Sequence, residues 1–295
     1  MRTELRTCFR NAVFCGSLLV SAQGALAADS YVPIVLRTVA VVDGPTGPEY
    51  VAWESLTSWF NTDTKNEARF SAVAVYGPGL FGPNPTCTNY PLSPLGGTEG
   101  LCVLGSPECG PGFVKFTSDP AVLVSADIQR LLYVSHCGGT ADGTNVVIQG
   151  TAPLPVYHAL FPAGSTAVAG PVDLGALDKY CITGPLARHR RVNVTLFNAG
   201  DAGATFNVSV QPFARPYPNR SILDVSQTVA PLDVVQLNAL PIPLDDSLPY
   251  VFGYDIRAWI RITATQPFLA YVSTIFDDGE PGTNAFTIYE AKQTN

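Results

Sequence analysis

The densest cluster of groups able to do chemistry is Asp277-Asp278-Gly279-Glu280, three carboxylates in four residues, followed by Thr283 and Asn284. Calcium prefers several oxygen ligands on a flexible, turning backbone, which makes Asp277, Asp278 and Glu280 a candidate calcium site. Asp142-Gly143-Thr144-Asn145 is a smaller version of it. Neither run has EF-hand spacing, and the competing reading is an ordinary strand-connecting turn made soluble by Asp and Gly.

Nucleophilic catalysis finds no such cluster. Beyond the first 27 residues there is no serine on a G-x-S-x-G turn. His136 adjoins Cys137, but neighbouring side chains on a strand point to opposite faces and cannot pair directly. His158 lies in the apolar stretch Leu154–Phe161 and His189 in the basic run Arg188-His189-Arg190-Arg191, where both are expected to be structural or surface residues. No catalytic residue is assigned. The alternative is a secreted hydrolase whose carboxylates, such as Asp277 or Glu280, converge only in the fold. Trp53 and Trp59 share one face of a predicted strand, as core or as a sugar-stacking platform.

The cysteines speak of compartment. Arg2, Arg6 and Arg10 precede the mainly apolar Ala12–Ala22, and Ala25-Leu26-Ala27 forms an A-x-A site, so residues 1–27 read as a cleaved export signal. A secreted or periplasmic location follows. Cys87, Cys102, Cys109, Cys137 and Cys181 then remain, and an oxidising compartment predicts two disulfides and one spare thiol, with the pairing open. A Cys137–Cys181 bridge would contribute about 4 kcal/mol by the chain-entropy argument. No C-x-x-C pair suggests structural zinc.

Of the 295 residues, 46% are hydrophobic and only 14% charged, which excludes a disordered polyelectrolyte. The formal net charge is −7, and loss of three Arg and Glu4 with the signal makes the chain more acidic. Nucleic acid is not an expected partner, because phosphate binding needs clustered Lys and Arg. No later run of 18 apolar residues predicts a membrane span.

Nearly every periodic segment reads as strand. Arg191–Asn198 alternates Val192, Val194 and Leu196 against Asn193 and Thr195, and Thr205–Val210 alternates Phe206, Val208 and Val210. Similar stretches occur at Val32–Val42, Val51–Phe60, Phe70–Tyr76, Val122–Ala126, Asn145–Gln149, Leu154–Phe161, Ala258–Ala264 and Phe268–Phe276. An internal repeat organises them: Phe60-Asn61 pairs with Phe197-Asn198, Pro120–Ser125 with Pro231–Gln236, and Pro153–Tyr157 with Pro267–Tyr271. The offset falls between the first two matches, so Gly77–Gly112 reads as a Cys-rich insertion in the first copy. The predicted organisation is a signal at 1–27, a first β-sandwich module at 28–175 and a second at 176–295.

The exported start, the Val32-Pro33-Ile34-Val35 opening, the Phe-Asn strand ends and the late Pro267-Phe-Leu-Ala-Tyr-Val-Ser273 strand resemble the secreted tandem immunoglobulin-like β-sandwich proteins of environmental bacteria. The resemblance implies an all-β fold of two tandem immunoglobulin-like antiparallel sandwiches in an extracellular setting, and supplies no activity. Loops carry recognition on such scaffolds, so the expected function is non-catalytic binding, adhesion or surface structure, with an extracellular protein or glycan as partner. Phe81, Tyr90 and Leu92 in the insertion are the expected contact residues. Asn193, Asn207 and Asn219 stand in N-x-S/T triplets, glycan acceptors if exposed in a eukaryotic pathway.

Overall fold

The computed structural model describes residues 29–35, 40–44, 47–77, 87–99, 111–134, 145–177, 187–212, 221–242, 256–276 and 285–294. They form seventeen strands and no helix. Seven lie before residue 120: β1 (Asp29–Val35), β2 (Ala40–Gly44), β3 (Gly47–Asn61), β4 (Ala68–Tyr76), β5 (Cys87–Leu92), β6 (Gly97–Glu99) and β7 (Pro111–Ser118). Then come β8 (Val122–Val134), β9 (Asn145–Pro153), β10 (Thr166–Leu177), β11 (Ala187–Asn198) and β12 (Ala204–Pro212). The remainder are β13 (Leu223–Val229), β14 (Val234–Leu237), β15 (Ile256–Ala264), β16 (Phe268–Phe276) and β17 (Ala285–Thr294).

All pairings are antiparallel and build four layers. Layer one is β2-β3-β8-β9 with β6 on β3, and layer two is β1-β7-β4-β5. The remaining strands form one eight-stranded sheet folded on itself, with layer three β14-β11-β16-β17 and layer four β10-β15-β12-β13. β10 nearly closes it. Its start pairs with β17 through Thr166–Ala169 and its end with β11 through Gly175–Leu177. The first of two register shifts against β15 falls between Ala169 and Val172, where Pro171 has no N–H to donate, and the second between Asp173 and Gly175.

Alternation decides what lies between the layers. In β12 every second residue from Ala204 to Val210 is buried and the residues between face outward. Phe206, Val208 and Val210 meet Ile260, Ile262 and Phe268 in the core of layers three and four. Trp59, Phe70, Phe116, Ile128 and Leu154 fill the space between layers one and two. The two halves join through an aromatic seam: Phe113 of layer two stacks on Phe197 of layer three at 5.4 Å and meets Tyr271 edge-on at 5.6 Å, while Tyr76 lies 4.6 Å from Phe197. β11 is therefore buried on both faces from Val192 to Asn198. Each ring pair contributes about 1 kcal/mol beyond its area.

Layers one and two repeat in layers three and four. β9-β8-β3-β6 corresponds strand for strand to β17-β16-β11-β14, and β5-β4-β7-β1 to β13-β12-β15-β10. Phe60 faces Leu123 in register and Phe197 faces Leu269. Two of the expected matches fail. Val122–Ser125 lies in β8, the counterpart of β16, whereas Val234–Gln236 lies in the edge strand β14. Tyr157 is in no named strand and bridges to Tyr31, whereas Tyr271 is central in β16. The expected strand Leu154–Phe161 is reduced to bridges at Tyr157 and Phe161, since Pro153, Pro155 and Pro162 cannot donate to a ladder. Gly77–Gly112 is no added loop either: it contains β5 and β6, with counterparts in β13 and β14. Residue 175, expected as a module boundary, lies inside β10.

Candidate functional site

The site begins with two asparagines that end equivalent strands. Asn61 is fully buried; its Nδ2 donates to Asn66 O, Leu92 O and Ser93 O at 2.9, 3.1 and 3.1 Å. Asn198 is equally buried and donates to Ala202 O, Val229 O and Ala230 O at 2.8, 3.2 and 2.9 Å. Each Oδ1 accepts a backbone N–H two residues on, from Asp63 and Gly200. The backbone N–H groups repeat the pattern, Asn61 to Gly96 O and Asn198 to Asp233 O. Such amides satisfy carbonyls that would otherwise be buried without partners.

Both asparagines strap the same kind of turn. Ser93-Pro94-Leu95-Gly96 closes with a Gly96 N–H to Ser93 O bond of 2.8 Å, and Ala230-Pro231-Leu232-Asp233 with an Asp233 N–H to Ala230 O bond of 3.3 Å. Proline presets the second position, and the third must take positive φ, a place normally given to glycine. Here it is leucine twice, Leu95 at φ 52° and Leu232 at φ 55°. Bulky side chains reach this region only at a cost of about 1–3 kcal/mol, sustained by surrounding bonds. Each strained leucine also points outward, with 55% of Leu95 and 49% of Leu232 exposed. The turns therefore hold an apolar side chain in water, rigidly, at matching places in the two halves.

Around the first turn, Tyr90 is 43% exposed and tilts over Phe70 at 5.3 Å. Arg69 pairs with Glu67 at 2.7 Å beside it. Tyr90 is thus accessible, as expected of a contact residue. Leu92 is not: it shares a face of β5 with Tyr90, but it is buried in the cluster with Trp59 and Phe70, whereas Tyr90 leans on Phe70 from the edge of that cluster. Phe81, Cys102, Cys109, Cys137 and Cys181 lie outside the described residues, as do Asp277, Asp278 and Glu280 and the segment 1–27. Cys87 opens β5 opposite Ala72. Among the described residues no three His, Cys, Asp or Glu side chains gather to hold a metal ion, and no helix is long and apolar enough to cross a membrane.

Trp59 resolves as core, 2% exposed and stacked on Phe70 at 4.4 Å. Asn193 is buried, its Oδ1 accepting the Ala239 N–H, and cannot carry a glycan; Asn207 is exposed and Asn219 lies outside the described residues. One titratable cluster borders the seam. Lys115 Nζ lies 2.9 Å from Asp29 and 5.8 Å above the Tyr31 ring. Burial pushes Asp29 upward, but hydrogen bonds from Lys115 and Thr117 outweigh it and hold the carboxyl below its ordinary range. The hydrogen bond to Asp29 raises Lys115, and burial raises Tyr31 and Tyr76. All four keep their ordinary charge at neutral pH, which makes the cluster a clasp and not an acid–base pair.

The Pro-Leu turns had a signal in the sequence. Pro94-Leu95 and Pro231-Leu232 stand at the same separation as Phe60-Asn61 and Phe197-Asn198. Comparison with protein-family models, curated proteins and solved structures finds no match.

Proposed function

We propose that the protein is an exported, non-catalytic binding or surface protein made of two tandem immunoglobulin-like sandwiches, and that the strapped Pro-Leu turns are its contact points. The observation that carries this reading is the repetition of an exposed leucine in left-handed conformation, Leu95 and Leu232, each held by a buried asparagine. Packing alone would place glycine there. A side chain kept at the expense of stability has to act outside its own fold, and a preorganised anchor loses little entropy on binding. Tyr90, beside Leu95, adds an amphipathic ring of the kind enriched at interfaces. The partner of such a surface is an extracellular protein or glycan with an apolar patch.

The test compares wild type with Leu95→Gly and Leu232→Gly on immobilised extracellular-matrix proteins and glycans. Glycine relieves the backbone and should stabilise each turn by about 1 kcal/mol while removing the anchor. Binding lost together with increased stability supports contact points. A binder retained by the double variant overturns the assignment to these turns.

A further inference from the structure

The two halves are equivalent in topology but not in what covers them. Layer three's outer face, with Phe197, Leu269 and Tyr271 fully buried, lies under the Phe113 end of layer two. The equivalent face of layer one carries Phe60, Leu123 and Ser125 in the same register positions and has no layer over it among the described residues, with Leu123 38% exposed and Phe60 half-buried. At the other end of the molecule, layer four is the counterpart of layer two. By pairing register Trp259 of β15 stands where Phe113 stands in β7, and Val168 of β10 where Tyr31 stands in β1. Both residues are half-buried.

We propose that layer one of one molecule receives layer four of a second copy, in a head-to-tail joint that repeats the one inside the chain. Two observations choose this occupant. The joint already exists once, between layers two and three, and both open faces are its two halves. The large residues are exchanged in a compensating way: Phe113 against Tyr271 inside the chain becomes Trp259 against Ser125 between chains, a larger ring facing a smaller residue. Phe60 packs beside Gly97, its Cδ2 3.3 Å from where a Cβ on that residue would sit. Because the two surfaces differ, the contact is heterologous and copies add head to tail, in a line or, where the rotation between them closes, in a ring. Leu232 stays exposed although Phe197, which pairs with Val234 just beyond that turn, is in the internal joint, so association leaves Leu95 free and does not depend on the function of the turns.

The experiment is sedimentation velocity of the purified exported chain over a dilution series, with Leu123→Lys blocking one face and Trp259→Lys the other. Wild type should form a concentration-dependent series. Each variant should stay monomeric, its dissociation constant raised at least about tenfold. The decisive step is mixing: each variant keeps the face the other lacks, so the mixture should give a one-to-one pair and nothing larger. Val168→Lys serves as a second layer-four variant, and unchanged thermal unfolding establishes that each is folded. A wild type monomeric throughout, a dimer that survives Trp259→Lys, or a mixture that stays monomeric overturns the proposal. Normal assembly by Leu95→Gly separates this result from the turns' binding.

Discussion

Phe60 and Phe197 occupy the same place in two copies of one design, yet Phe60 is half-buried and Phe197 is 1% exposed. Each precedes the asparagine that straps a turn, and each faces a leucine across the ladder. The difference is that layer two covers Phe197 with Phe113, Tyr76 and Tyr31, whereas the described residues place no layer over Phe60. Local sequence therefore fixes the strand, the turn and the strap, and the neighbouring layer fixes how much energy the same side chain contributes.

The largest effect should come from the side chain that separates the halves. Phe197→Ala empties a fully packed site and should cost about 4 kcal/mol, against no more than about 1 kcal/mol for Phe60→Ala, by urea denaturation. Similar losses would mean that the seam contributes no more than the open face. The straps, by contrast, should be equal. Asn61→Ala and Asn198→Ala each strand buried carbonyls and should each cost about 3 kcal/mol; a clear inequality would show that the two turns differ in more than sequence.

A third effect is confined to alkaline pH. Burial pushes the Tyr271 hydroxyl up to about 12 from an ordinary 10.0, and burial raises Tyr157 as well, with Glu290 nearby adding to it. The unfolded chain releases these protons first, so their contribution is complete below pH 10 and is lost as pH rises towards 12. Unfolding midpoints measured across that window should fall. Tyr271→Phe should weaken the fall at little cost near neutrality, since among the described residues the Tyr271 hydroxyl makes no well-formed hydrogen bond and only approaches Thr195. The smallest effect is the gain of about 1 kcal/mol from Leu95→Gly or Leu232→Gly, readable as a shift in melting temperature.

Alternation made the strands legible. Arg191–Asn198 and Thr205–Val210 fall within β11 and β12, and the Phe-Asn pairs mark true counterparts. β10 escaped because Gly170-Pro171 reads as a turn, while in the fold it marks where one strand passes between partners. Leu154–Phe161 misled in the opposite way: its apolar residues do meet the core, through Tyr157 and Phe161, but its prolines keep it out of a ladder. Matching Pro231 to Pro120 instead of Pro94 hid the turns. Tyr90 and Leu92 could not be separated in the sequence, because they share one face of β5 and differ only in how far the cluster of Trp59 and Phe70 reaches over each. Burial of Phe197 had no local sign at all, since it depends on Phe113, far away in the chain.

The aromatic seam also sets an order in time. During N-to-C synthesis, layers one and two can close their own core around Trp59 before β11 and β16 exist. Tyr31, Tyr76 and Phe113 must then face water until the later strands arrive, an interval on the order of ten seconds at ordinary synthesis rates. During that interval the half-made molecule displays a sticky aromatic end that its finished form never shows. The nascent chain's need for a holding chaperone should therefore peak just before β16 is released and vanish once Phe197 and Tyr271 dock.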